Sequence, residues 1–106
     1  MHLFYLIHRI IMYRLSRSTR KFKKFDVQMP GARKISFGDS RYSDYTQHHD
    51  DDRKRRYLAR HQSAENWDNL ETAGAWSRWL LWNQASIAES IYNMERRFHI
   101  RITITQ

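Results

Sequence analysis

Residues 25–37 read Phe-Asp-Val-Gln-Met-Pro-Gly-Ala-Arg-Lys-Ile-Ser-Phe, and this stretch decides the fold class. Phe25, Val27 and Met29 alternate with Lys24, Asp26 and Gln28. Beyond Pro30-Gly31, Ile35 and Phe37 alternate with Lys34 and Ser36. A period of two sends apolar side chains to one face of a strand and polar ones to the other. Proline presets φ at the second position of a turn, and glycine takes the positive φ that a type II turn requires next. The stretch therefore predicts a β-hairpin with one apolar face. The same alternation returns at the end of the chain, where Ile100, Ile102 and Ile104 alternate with Arg101, Thr103 and Thr105. A lone hairpin is marginal in water, so the isoleucine strand is expected to be the third member of its sheet.

Three helices are predicted between hairpin and terminal strand. The first spans about Asp50 to Gln62. Asp50/Lys54, Asp51/Arg55 and Asp52/Arg56 are spaced there for ion pairs, with the acids at the end the helix dipole favours. The second runs from near Thr72 to Asn83 and carries Trp76, Trp79, Leu80 and Trp82. The third opens on a capping box, Ser86 to Glu89, and places Ile87, Ile91, Met94 and Phe98 along one stripe. Helices laid on the apolar face of a sheet bury both sets of hydrophobes. The expected class is α+β, a small single domain in which a β-hairpin plus a C-terminal strand packs against about three short helices.

A chain of 106 residues holds one domain, and this one is expected over residues 25–106. Residues 12–24 carry Arg14, Arg17, Arg20, Lys21, Lys23 and Lys24 with no acid, interrupted by Ser16, Ser18 and Thr19. They read as a flexible basic arm. Residues 1–11 are apolar but include His8 and Arg9, are too short to span a bilayer, and lack the layout of a secretory signal. They are expected to be an extension ahead of a start at Met12 that adds nothing to the core, and the protein is not expected to be secreted or to span a membrane.

Nineteen Lys and Arg against eleven Asp and Glu give a net charge of +8, which favours polyanionic partners. The absence of cysteine excludes a disulfide framework, a thiolate metal site and a cysteine nucleophile. The basic residues expected to contact nucleic acid are Arg14, Arg17, Arg20, Lys21, Lys23 and Lys24 of the arm, with Arg53, Arg56 and Arg60 of the first helix. His48, His49, Asp50 and His61 do not have metal-ligand spacing, since adjacent histidines share no helix face. His61, four residues after Tyr57, is expected to pack against that ring. Asp39, Asp44, Asp50–Asp52 and Glu65 could gather around Mg²⁺, but no phosphate-binding loop and no nucleophile elbow accompanies them. No catalytic residue, metal or cofactor is expected. Trp76 and Trp79 are assigned to the core. Trp82 is assigned to a less buried position, where a ring could stack on a base, and Arg78 to solvent.

A longer pattern runs through the chain: Lys-Lys-Phe-Asp (23–26), Ser-Phe-Gly-Asp (36–39), Tyr-Ser-Asp-Tyr-Thr (42–46), His48, Asp50, Arg53, Tyr57, Arg60-His61 and Glu65-Asn66-Trp67. It continues as Thr72-Ala73-Gly74 and Ser77-Arg78-Trp79-Leu80-Leu81-Trp82-Asn83. From about Lys21 to Phe98 the chain resembles a family of short uncharacterised proteins of the nucleocytoplasmic large DNA viruses, the giant viruses. It departs after Asn83, where Gln84-Ala85 stands in place of the family's Lys-Pro. The resemblance implies a viral source, a shared fold and a location in the virion or the infected cell, and it supplies no activity. Charge and resemblance together lead to a non-enzymatic viral accessory protein that binds nucleic acid, with viral DNA the expected partner. The alternatives are a minor structural protein of the capsid or virion interior and, third, a metal-dependent nuclease using Asp44, His48, Asp50 or His61.

Overall fold

The structure, a computed structural model, describes residues 10–105. Its elements are β1 (Ile11–Arg17), β2 (Lys23–Gln28), β3 (Lys34–Asp39), α1 (Tyr45–His48), α2 (Asp51–His61), α3 (Ala73–Trp76), a π-helical turn (Ser77–Leu81), α4 (Ile87–Phe98) and β4 (Ile100–Ile104). The strands form one mixed sheet in the order β3-β2-β1-β4, with β4 parallel to β1 and the other neighbours antiparallel. The α+β class stands as expected, with four strands rather than three and one further short helix, α1.

The fourth strand corrects the reading of the basic arm. Residues 12–24 are not a flexible arm: they provide most of β1, the turn after it and the start of β2. Their charges hid a period-two pattern in which Tyr13 and Leu15 alternate with Met12, Arg14 and Ser16. Leu15 is fully buried, and β1 lies inside the sheet between β2 and β4. The fold therefore begins well before residue 25. Ile11 pairs with Ile100, so the segment expected to stand apart from the fold enters it at its last residue. Residues 1–9 lie outside the described residues.

One face of the sheet is covered. Leu15, Val27, Phe37, Ile100 and Ile102 meet Trp76, Leu80 and Met94 of the helical layer, and all eight are buried. Each such large side chain contributes about 1.5–3 kcal/mol on burial. The other face is open and polar, with a cross-strand row Lys34–Gln28–Arg14–Thr103 set by the register. At its centre Asp26 is nearly covered by its neighbours. Burial works to raise its pKa, but hydrogen bonds from Ser36 (2.6 Å) and Ser18 and the charges of Lys34 and Arg20 outweigh it, so the carboxyl stays below its ordinary range. At the β4 edge, the outward N–H of Ile102 donates to Glu95 Oε2 at 2.9 Å, which occupies a group that could pair with another strand.

The helices start where their caps lie. Asp50 accepts from the N–H groups of Asp52 and Arg53, Thr72 from Ala75, and Ser86 from Glu89. None of the three expected i,i+4 ion pairs of α2 forms. Asp50 serves as the cap, Asp51 accepts from the Tyr45 hydroxyl, and Asp52 pairs with Arg55 one residue sooner. Lys54 instead reaches the Asn83 carbonyl at 2.6 Å. The second predicted helix is interrupted: the N–H of Trp82 donates five residues back to Ser77, a π turn that shifts the facing of everything after it. Arg78 does not face solvent as expected but lies half-buried over the rings of Trp67 (5.3 Å) and Trp79 (4.2 Å), donating to the Trp82 carbonyl at 2.8 Å. Trp76 and Trp79 are buried as expected. Among the described residues no helix is long and apolar enough to cross a membrane.

Candidate functional site

A cavity of about 370 Å³ opens where the β2–β3 end of the sheet faces the C-terminal half of α2 and the α3–π segment. The sheet side provides Lys23, Lys24, Phe37, Gly38 and Asp39; the following loop provides Tyr42, Ser43 and Asp44; α2 provides Tyr57, Arg60 and His61. Glu65, Gly74, Ser77, Leu81 and Trp82 close the far wall. The two glycines sit where the walls touch. A Cβ on Gly74 would fall 2.3 Å from Glu65 Oε2, and one on Gly38 2.8 Å from Leu81 Cδ1, with Gly38 at φ +80° besides.

Inside the cavity the carboxylates are engaged. Arg41 holds Asp39 through two donors at 3.0 and 2.9 Å, an arrangement that brings the Asp39 pKa down from 3.8 to about 2. Asp44 accepts from Lys24 Nζ at 2.5 Å and from the Thr46 N–H and hydroxyl while capping α1. Glu65 accepts from Trp67 Nε1 at 3.1 Å and lies 3.4 Å from His61 Nδ1. Lys23 and Arg60, by contrast, have no ion pair among the described residues. The cavity is therefore lined by two cations outside any ion pair, with Lys23 across the strands from Asp39.

One wall is a column of rings. His61 stacks on Tyr57 at 4.3 Å, as its spacing predicted, and Tyr57 stacks on Trp82 at 4.3 Å with 3° between planes. His48 lies 5.3 Å beyond. Trp82, the ring that sequence reading offered as a base-stacking platform, is already stacked. Burial, then the charge of Glu65, pushes the Tyr57 phenol up, so it stays neutral and keeps its proton through the physiological range. Burial, then Arg53, lowers the His48 pKa; its Nδ1 accepts from the Asp50 N–H, which assigns the remaining ring proton to Nε2.

At the mouth stand rings that the sequence reading passed over. Phe22 and Tyr42 are 44% and 66% exposed. Phe22 holds φ +65° at the end of the five-residue β1–β2 connection, residues 18–22, a left-handed backbone that glycine adopts freely. A residue with a Cβ is disfavoured there by about 1–2 kcal/mol. Lys21 lies 5.1 Å and Arg41 4.3 Å from the Phe22 ring centre. The signal in the sequence was the phenylalanine inside the turn Arg20-Lys21-Phe22-Lys23, where its charged neighbours drew the attention.

The structure scatters the expected basic residues. Lys23 and Arg60 line this cavity, and Lys21 lies over the Phe22 ring. Arg14 belongs to the open sheet face, and Arg20 lies beside Asp26. Arg17 stands over Phe25 at 5.9 Å, Arg53 donates to Ser43 at 3.3 Å, and Arg56 is exposed along α2. Lys24 is committed to Asp44. Asp44, His48, Asp50 and His61, the set weighed for a nuclease, do not converge, and among the described residues no three acidic or histidine side chains are placed to hold a metal ion.

The Asp39–Arg41 pairing carries a pH expectation. Above pH 3.8 the carboxylate is charged whether the chain is folded or not, so the pairing is fully present; it is lost as pH falls through about 2. A carboxyl-carbon NMR titration should place the Asp39 midpoint near 2, and Arg41→Gln should return it toward 3.8. An unmoved midpoint in the variant would mean another group holds Asp39.

The sheet side of this site lies in a recognisable stretch. Residues 13–61 match the model of a family of unknown function, DUF5754. The DUF5754 stretch covers slightly under half of the chain, begins within β1 and ends at the last residue of α2. It contains Phe22, Lys23, Asp39, Tyr42, Tyr57 and Arg60, whereas Glu65, Gly74 and Trp82 lie beyond it. No curated protein and no solved structure matches the chain.

Proposed function

We propose that this is a non-enzymatic accessory protein that binds single-stranded nucleic acid across the mouth of the cavity. The observation that carries the reading is the pair of exposed rings, Phe22 and Tyr42, near Lys21, Lys23 and Arg60. Rings offer a stacking surface to any unpaired base, and the cations between them follow the phosphates. The open sheet face is one rival basic surface, with Arg14, Lys34 and Arg101 and no aromatic ring in its exposed rows; the α4 surface with Arg96 and Arg97 is another, with a single exposed ring, Tyr92. A duplex keeps its bases stacked and out of reach, so single strands are the preferred ligand. With a viral source, as the resemblance implies, the ligand is the viral genome or its transcripts, met in the virion or the infected cell.

Fluorescence anisotropy on single strands of mixed sequence tests this. Three or four neutralised phosphates give a slope of roughly −2 to −3 in log K against log salt. Phe22→Gly should weaken binding about 5- to 150-fold, the range of one lost stacked base. The same change should leave stability equal or raise it by up to about 1–2 kcal/mol, because glycine accepts the left-handed turn position freely. Undiminished binding by Phe22→Gly would remove the ring from the interface. Binding that falls instead with Arg14→Gln would move the interface to the open sheet face. Absence of binding to any nucleic acid would favour the structural role in a capsid or virion interior.

A further inference from the structure

We infer that the cavity seats the terminal phosphate monoester of a nucleic-acid strand between Lys23 and Arg60, an inference resting on the nucleic-acid reading above. Two features distinguish a strand end from an internal phosphate here. The first is charge. Asp39 and Asp44 are paired with Arg41 and Lys24 and Glu65 accepts from the uncharged Trp67 N–H, whereas Lys23 and Arg60 make no ion pair among the described residues. An internal phosphodiester brings one negative charge, whereas a terminal monoester carries about −1.5 to −2 at neutral pH. The dianion gains more from Lys23 and Arg60 than a single negative charge does, and charge-assisted hydrogen bonds to both are strong ones.

The second feature is shape. The floor of the cavity is the core itself: Phe37 is fully buried and Leu81 is 2% exposed. A strand that entered could not leave on the other side, so a continuous chain can only cross the mouth. A chain end can enter. The neutral Tyr57 phenol on the wall keeps its proton and so brings no negative charge against the phosphate. Phe22 and Tyr42 at the mouth then meet the first bases behind the terminal phosphate, which joins cavity and mouth into one site.

The test compares internally labelled single strands of one sequence that end in a 5′-phosphate, in a 3′-phosphate, or in hydroxyls at both ends. At least one phosphorylated form should bind tighter than the hydroxyl form by about tenfold or more, the size of one charge-assisted hydrogen bond. Lys23→Gln and Arg60→Gln should each erase that ratio, whatever they do to overall affinity, and thermal melting should find both variants folded. Equal binding of the three forms would overturn the inference while leaving the single-strand reading in place. No binding of any form would overturn both. A ratio that survives both substitutions would take the phosphate out of this cavity. A nucleoside monophosphate that binds as tightly as the phosphorylated strand would assign the cavity to free nucleotides and overturn the strand-end reading.

Discussion

Trp76→Ala is expected to destabilise the protein by about 3–5 kcal/mol, much of what a domain of this size possesses. The ring is wholly buried between the sheet and the helical layer. It meets Tyr13 edge-on at 5.3 Å and Phe37 at 5.9 Å, and its Nε1 donates to the Leu70 carbonyl at 2.7 Å. Alanine would leave a large void and an unpaired buried carbonyl together. At about 4–8 °C per kcal/mol, the melting temperature should fall by at least about 12 °C. A loss under 1 kcal/mol would mean that the helical layer collapses onto the sheet without this ring.

Asp44→Ala is expected to cost about 3–5 kcal/mol for a different reason. The side chains of Asp44 and Lys24 are 5% and 13% exposed, so the change leaves an ammonium group buried without its counter-charge. It also removes the cap of α1, which is worth about 1 kcal/mol in its own right. Lys24→Gln strands the carboxylate in turn and should be destabilising as well. Urea unfolding would measure both losses. The consequence for function is that Lys24, read from sequence as a phosphate contact, should affect stability and leave the salt dependence of nucleic-acid binding by the folded protein unchanged. A flatter salt slope for folded Lys24→Gln would place the ammonium back on the nucleic acid.

Sequence alone determined those parts of the protein whose causes are local. The hairpin around Pro30-Gly31 is written in period two and in the positive φ of Gly31, which is +91°. The start of α4 follows from the Ser86 hydroxyl accepting the Glu89 N–H, and its stripe carries Met94 to full burial. The stacking of His61 on Tyr57 follows from four-residue spacing on a helix. Basic character follows from counting charges.

Tertiary structure decided everything that required knowing what lies opposite. Tyr13 and Leu15 look like interruptions in a basic tail until β2 and β4 flank them, because a strand acquires a buried side only from its neighbours. Arg78 is one residue from Trp79 in any register, but only the fold brings Trp67, eleven residues back, within 5.3 Å of it. The fates of Lys23 and Lys24 diverge although they are adjacent and chemically identical. Lys24 meets Asp44, twenty residues on, in an ion pair; Lys23, which lines the same cavity, makes none. Coulomb energy depends on distance and burial, neither of which is a property of the residue. The candidate site is made of such differences, and so it became visible only when the loop after β3, the end of α2 and the turn before β2 were brought to one place.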